Sequence, residues 1–353
     1  MLRNKDNIYM RRCFELARQG LGNVMPNPLA GSVIVVHDNI IGEGFHIKYG
    51  DYHAEKNAIR AVKDKSLLKD STIYVNLEPC AHHGLQPPCA DLIVQSKIPR
   101  AVISNIDTNE KVSGKGIERL KKAGVEVMTA VLELEGRELN KRFFTFHEKK
   151  RPYIILKWAQ TSDGFIDYER EYHAPIKPTW ITDEFSKKLV HKWRSEEAAI
   201  MVGRNTAEKD NPRLTNREWY GKSPVRILID KQLKTNQDFH IYDQSSSTFI
   251  FNEIRDETSH HMEFKKIDFN DEPLKKIVRH LYEKKLQSVI IEGGAQLLQS
   301  FIDENLWDEA RVFTGMTCFH AGVPAPVLKD DPIENMYIKN NRLSIFRHRK
   351  KHP

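Results

Sequence analysis

Cysteine is scarce. The 353 residues hold four, Cys13, Cys80, Cys89 and Cys318. So few argue against a disulfide framework and for a reducing compartment. No run of some 18 apolar residues occurs, so no membrane span is expected. The opening stretch, Met1-Leu2-Arg3-Asn4-Lys5-Asp6, has no apolar signal core. A cytoplasmic protein is the expectation. No internal repeat or low-complexity tract stands out.

What is present is enough for two cores: 40% of residues are hydrophobic, and the length makes two domains the natural expectation. The formal net charge is +7. That suits nucleic acid, but equally phosphorylated small molecules or a reduced dinucleotide. Much of the excess lies in the tail Arg347-His348-Arg349-Lys350-Lys351-His352, which reads as a solvated end.

The chemistry concentrates in Tyr52-His53-Ala54-Glu55, answered by Glu78-Pro79-Cys80 and then Pro87-Pro88-Cys89. A His-x-Glu followed by Pro-Cys and a second Cys is the pattern of hydrolytic zinc deaminases. Catalytic zinc takes three protein ligands and keeps one position open. His53, Cys80 and Cys89 fill that requirement. Glu55 sits two residues from His53, at the start of a helix predicted over 54–62, where it can move protons without ligating. Cys80 follows a strand-like run, Ile73 to Leu77. Cys89 opens a helix predicted over 90–96, with Pro88 in the starting position, and a helix N-terminus favours thiolate. Two blander readings stay open. One is a structural zinc closed by His82 or His83; the other is a pair of buried cysteines with no metal.

Eight residues separate Cys80 from Cys89, Ala81-His82-His83-Gly84-Leu85-Gln86-Pro87-Pro88, and form a loop at the mouth of the site. With Pro26-Asn27-Pro28 upstream, this insert makes the chain resemble the bifunctional deaminase/reductases of riboflavin biosynthesis. Their pattern reads P-N-P-x-V-G, then H-A-E, then L-E-P-C-x-H-x-G-x-T-P-P-C. Here Ala30 replaces the Val, and Leu85-Gln86 replaces a basic-Thr pair. The metal and acid/base residues are unchanged. The resemblance places Asn27 at the substrate, and its amide can both donate and accept.

In chain order, residues 7–19 read as a helix from their apolar stripe. Strands are predicted at 32–36 and 40–45 around a His37-Asp38-Asn39 turn, and at 101–106 and 125–127. A loop, Asp107-Thr108-Asn109-Glu110 and Val112 to Gly116, runs into a helix over 117–123 capped by Gly124. Alternating strands and helices predict a three-layer α/β/α domain of cytidine-deaminase type. Residues 132–142 read as one helix, and His147 to Pro152 as a charged linker. The domains are set at 1–148 and 149–353.

The second half opens with the strand Tyr153 to Lys157, then Thr161-Ser162-Asp163-Gly164. This resembles the start of the family's reductase domain, a dihydrofolate-reductase-like α/β fold. Further matching blocks are Trp180-Ile181-Thr182, His191-Lys192-Trp193-Arg194, Met201 to Thr206 and Asp210 to Arg217. Strands are predicted at 225–230 and 248–251; otherwise residues 231–271 carry no usable motif. Near the end, the strand Ser288 to Ile291 meets Glu292-Gly293-Gly294-Ala295 and a helix over 296–303. A strand, a Gly-Gly turn and a helix start can hold a pyrophosphate. No G-x-G-x-x-G is present there, so a Rossmann domain is not supported.

The resemblance runs from residue 7 to about 330. It implies deamination of 2,5-diamino-6-(5-phosphoribosylamino)pyrimidin-4(3H)-one at a zinc site, then NADPH-dependent reduction of the ribosyl group to ribityl. It implies cofactor contacts at Ala159, Trp180, Thr206, Asp210, Gly294, Ala295 and Gln296. It implies substrate contacts at Asn27, Lys157, Thr179, Arg194, Leu214, Arg217 and Glu292, with Arg194 and Arg217 as candidates for the phosphate. The expected partner is a phosphorylated pyrimidine, with no nucleic acid and no membrane, in a dimer or tetramer of the chain. Three rivals remain: a nucleic-acid-editing deaminase, a deaminase with a non-reducing second domain, and a metal-stabilised scaffold.

Overall fold

The computed structural model describes residues 2–82, 87–109, 113–171 and 175–348. The chain divides into two compact units, residues 1–150 and 151–353.

The first unit contains α1 (Leu2–Arg18), β1 (Gly31–Val36), β2 (Asn39–Phe45), α2 (Ala54–Ala61), β3 (Thr72–Leu77), α3 (Cys89–Gln95), β4 (Arg100–Asn105), α4 (Lys115–Lys122), β5 (Glu126–Met128), α5 (Glu133–Leu139) and α6 (Lys141–Lys149). Its sheet has the order β2-β1-β3-β4-β5. The first two pairings are antiparallel, and β3, β4 and β5 run parallel. Strand β1 is buried along its whole length, as expected of a strand covered on both faces. One face packs Ile34, Ile73 and Ile103 against α2, α3 and α4. The other packs Val33, Tyr74 and Val102 against Met10 and Phe14 of α1. The three layers are as expected.

Two expectations are corrected here. The helix read over 132–142 is broken at Asn140, whose side chain bridges the backbone of Leu29 in both directions, at 2.8 and 2.9 Å. Residues 147–149, read as linker, finish α6 because Phe143, Phe144 and Phe146 bury that helix. A smaller shift is that α3 begins at Cys89 with Pro88 as its N-cap.

The second unit contains β6 (Tyr153–Gln160), β7 (Phe165–Asp167), α7 (Glu184–Glu196), β8 (Ala199–Gly203), α8 (Arg204–Asp210), β9 (Val225–Ile229), β10 (Thr248–Asn252), β11 (Glu257–Ser259), β12 (Met262–Lys266), α9 (Pro273–Glu283), β13 (Ser288–Gly293), α10 (Ala295–Asp303), β14 (Glu309–Thr314), β15 (Val323–Pro324), β16 (Glu334–Ile338) and β17 (Asn341–Arg347). Ten strands form one sheet, β11-β12-β10-β9-β8-β13-β6-β14-β17-β16. From β12 to β14 every neighbour is parallel. The central strands are apolar runs, and helices α9 and α10 cover one face with Ile277, Leu281, Leu298 and Phe301. In such a sheet ligands bind beyond the carboxyl ends of the parallel strands. Strands β11 and β12, within the stretch that showed only one strand, are an addition to the sequence reading.

Candidate functional site

The first site grows from a close approach of α2 to β2. A Cβ on Gly42 or Gly44 would meet the Ala58 backbone at 2.5 or 2.4 Å, so only glycine lets the helix lie this close to the strand. That packing seats His53 as the N-cap of α2 and Glu55 in its first turn, with Glu55 buried. Strand β3 delivers Cys80 and the start of α3 delivers Cys89. The ligand atoms of His53, Cys80 and Cys89 lie within 4.8 Å of one another. His53 Nδ1 is 3.6 Å from Cys80 Sγ and 3.4 Å from Cys89 Sγ. The Cys89 N–H donates to Cys80 Sγ at 3.3 Å.

Hydrogen bonding from Cys89 pulls the pKa of the Cys80 thiol down, against burial and with help from His53. Cys89 is pushed up by its bond to Cys80 and by burial. One imidazole and two cysteine sulfurs within reach of one another fit a zinc ion's preference for N and S donors. Among the described residues the ligand group is these three. His83 and Leu85-Gln86 lie outside the described residues, as do Glu110, Val112 and the tail beyond 348. Burial raises the pKa of Glu55, opposed by the charge of His53.

Two residues here had no role in the sequence reading. Asn27 Nδ2 lies 3.1 Å from His46 Nε2, and His46 Nδ1 lies 3.1 Å from the Tyr52 carbonyl. A carbonyl can only accept, so Nδ1 carries the proton and Nε2 accepts from the Asn27 amide. The His46 ring stands edge-on to His53, centroids 5.3 Å apart. The other is Glu78. Its buried carboxylate accepts the backbone N–H groups of Asp107, Gly114, Gly116 and Ile117 at 2.8–3.2 Å. It thereby anchors the start of α4 to the segment that carries Cys80.

The second unit holds a cavity of about 1110 Å³ at the carboxyl ends of β6, β8, β9 and β13. All the candidate residues of this half line it: Lys157, Ala159, Thr179, Trp180, Arg194, Thr206, Asp210, Leu214, Arg217, Glu292, Gly294, Ala295 and Gln296. At the turn from β13 to α10, Gly293 has φ +152°, and a Cβ there would sit 3.1 Å from Thr206 Oγ1. The first helical bond of α10 runs from Leu298 N–H to Gly294 O. The amides before it lack helical acceptors, which suits an anionic group. The shape and donors therefore fit the pyrophosphate of a dinucleotide. Trp180 is 62% exposed, with Lys187 Nζ 5.0 Å from its ring centre.

Deeper in the cavity, Arg194 grips Glu292 through Nη2 at 2.7 Å and Nε at 3.3 Å. Burial would raise the Glu292 pKa, but the charges of Arg194 and Lys157 win and bring it to about 2. Burial lowers the pKa of Lys157, opposed by Glu292. Arg217 donates to the Thr215 carbonyl and hydroxyl at 3.3 and 3.0 Å. His191, also unassigned from sequence, accepts the Arg217 N–H at Nδ1, 3.0 Å. Burial and the charges of Arg194 and Arg217 pull its pKa to about 4.

A three-layer domain with a His/Cys/Cys group beside a buried Glu, joined to a parallel-sheet domain with an anion-cradling cavity, defines a zinc deaminase fused to a reductase. Residues 3–105 match the cytidine and deoxycytidylate deaminase zinc-binding region, and residues 152–319 match the RibD C-terminal domain. The chain is 39% identical to the riboflavin biosynthesis protein RibD of Aquifex aeolicus over 89% of this chain and 87% of that one. It is 31% identical to RibD of Escherichia coli over 88% and 87%. A deaminase/reductase from Thermotoga maritima superposes with a TM-score of 0.88 at 35% identity, covering 98% of this chain and 99% of that one. The chain belongs to the RibD family, the bifunctional deaminase/reductases of riboflavin biosynthesis.

Proposed function

We propose that His53, Cys80 and Cys89 hold the zinc of the deaminase, that Glu55 is its proton carrier, and that the cavity of the second unit binds NADPH and the sugar of the same substrate. The observation that carries this is the convergence of three ligand atoms within 4.8 Å beside the buried Glu55. The Thermotoga maritima relative is described as a diaminohydroxyphosphoribosylaminopyrimidine deaminase and 5-amino-6-(5-phosphoribosylamino)uracil reductase. We take the same two substrates for this chain.

When bound, zinc supplies Lewis acidity and makes water acidic enough to react near neutral pH. Glu55 takes the proton from the attacking water and delivers it to the departing amino nitrogen. Its place in the first turn of α2, buried beside the three ligand atoms, keeps the carboxyl within the site between the two events. Asn27 offers its Oδ1, and the second N–H of Nδ2, to the amino-pyrimidinone edge, its amide turned by the bond from Nδ2 to His46.

NADPH, when bound, supplies hydride to C1′ of the ring-opened ribose. The backbone amides at the start of α10 receive its pyrophosphate. Among the described residues no carboxylate pairs with Arg217, whereas Arg194 is paired with Glu292. Arg217 is therefore the better phosphate contact, and Arg194 orients Glu292. Lys157, half-buried in the cavity near Glu292, lies against the sugar.

No helix among the described residues is long and apolar enough to cross a membrane. A cytoplasmic homo-oligomer acting on a small phosphorylated pyrimidine, not nucleic acid, completes the reading. The test is a paired assay on purified protein with the diaminopyrimidinone phosphate. Ammonia should appear without NADPH, and NADPH should be oxidised only after ammonia release. Ammonia without any oxidation would sink the reductase half. Neither signal, with one zinc bound per chain, would sink the substrate assignment.

A further inference from the structure

Arg170 belongs to no motif. It stands in Tyr168-Glu169-Arg170-Glu171, just past β7. Yet its guanidinium joins three separate segments at the rim of the reductase cavity. At the end of β7, Nε and Nη2 meet the two oxygens of Asp167 at 2.9 and 3.1 Å. On the irregular run before Trp180, Nη1 reaches the Lys177 carbonyl at 2.9 Å and Nη2 the Thr179 hydroxyl at 3.0 Å. At the end of α8, Nη1 reaches the Lys209 carbonyl at 2.9 Å and Nη2 reaches Asp210 Oδ1 at 3.0 Å.

The group is largely withdrawn from solvent: the side chains of Arg170, Asp167 and Asp210 are 11%, 15% and 28% exposed. Two carboxylates share one cation there. The Thr179 hydroxyl donates to Asp167 Oδ1 at 2.5 Å, so its orientation is set by the same cluster. Asp167, Arg170, Thr179 and Asp210 all line the cavity. The five N–H donors of the planar fork make six contacts across the three segments, of which a lysine ammonium with three donors could keep only about half. Remove the cation, and two like charges face each other at the rim of a site meant for a polyanion.

We propose that Arg170 is a positioning residue of the reductase, cancelling the charges of Asp167 and Asp210 and tying their segments into one fixed wall of the dinucleotide site. The inference rests on the reading of this cavity as the NADPH site. Its effect falls on binding more than on the hydride step, because Arg170 is engaged with protein groups on every side.

The experiment is a fluorescence titration of the full chain with NADPH, alongside steady-state kinetics of both reactions. Arg170→Met should weaken NADPH binding on the order of tenfold, ~1.4 kcal/mol. The KM for NADPH should rise in step, kcat should stay within about twofold, and ammonia release should be unchanged. Arg170→Lys should fall between. The discriminating variant is Arg170→Met with Asp167→Asn. Deleting one of the two opposed charges should restore most of the lost affinity, which a merely structural role would not do. A double variant no better than Arg170→Met overturns the charge-cancelling role. Wild-type binding with an equally tight Arg170→Met overturns the inference alone. A wild type that binds no NADPH overturns the cavity's assignment and this inference with it.

Discussion

The side-chain amide of Asn27 and the ring of His46 meet at 3.1 Å, and the Tyr52 carbonyl on the far side of the ring decides which of them donates. His46 thus sets which way the Asn27 amide is turned, and on the proposed reading how it meets substrate. His46→Phe keeps the ring and removes both nitrogens. Ammonia release should lose about tenfold in kcat/KM, the cost of the lost bond that orients the Asn27 amide. Zinc content, measured by metal analysis, should not change. Unaltered kcat/KM would mean Asn27 orients itself.

Glu55→Gln removes the proton carrier and leaves the three ligands. The variant should keep one zinc per chain and lose ammonia release by about 10²–10⁴-fold, the usual worth of a positioned acid/base. NADPH binding should be untouched. Full deaminase activity would take Glu55 out of the mechanism.

Glu78→Gln swaps one acceptor oxygen for an amide that points N–H at N–H. Either the Asp107 and Gly114 pair or the Gly116 and Ile117 pair loses its acceptor. Each stranded donor costs about 1–3 kcal/mol. Thermal unfolding of the deaminase unit should shift down, and zinc affinity with it, since Cys80 follows two residues later. A variant as stable as the parent, holding zinc as tightly, would show the anchor to be dispensable.

His191 gives a pH signature. Its pKa is about 4 in the fold, against 6.5 when unperturbed. Between those values the unfolded chain binds more protons than the folded one. The contribution is complete above pH 6.5 and is lost as pH falls towards 4. His191→Asn keeps an acceptor for the Arg217 N–H but cannot titrate. Its melting temperature should fall less than that of the parent over this window. Parallel curves would refute the assignment.

Gly294→Val fills the cradle at the start of α10. The backbone there, φ −78° and ψ −170°, accepts a side chain, so the fold should survive. The added carbons meet Thr206 Oγ1, 3.3 Å from the new Cβ, and the space where a pyrophosphate would lie. The KM for NADPH should rise at least tenfold while ammonia release stays unchanged. Loss of both activities would contradict two independently working sites.

Much of this was legible because the chemistry demands particular residue types. A zinc site calls for His and Cys at set spacings and acid/base work for a carboxylate beside them, so His53, Cys80, Cys89 and Glu55 stand out as four letters, and the structure brings the first three together. Unreadable were the residues that act through others. His46 sits in Phe45-His46-Ile47 without a pattern, and its meaning depends on Asn27, nineteen residues earlier. Glu78 was visible as a letter of Glu-Pro-Cys, but its four donors come from the 107–117 segment. Strand β12 holds only Met262 and Phe264 as apolar residues, too few to show a period. The break at Asn140 is a tertiary effect of Leu29.

The three proposed zinc ligands are held in place by the fold itself. His53 is set by α2 lying on β2, Cys80 by β3 and the Glu78 anchor, and Cys89 by α3 packed on the sheet. Each support is apolar burial or a backbone hydrogen bond between protein groups. The entropy of gathering the ligands is therefore lost when the domain folds, not when the ion arrives. Zinc fingers do the reverse and collapse only around their metal. A chelator should strip this enzyme of deamination while leaving its circular dichroism and its NADPH binding intact, and zinc returned to the solution should restart it without refolding.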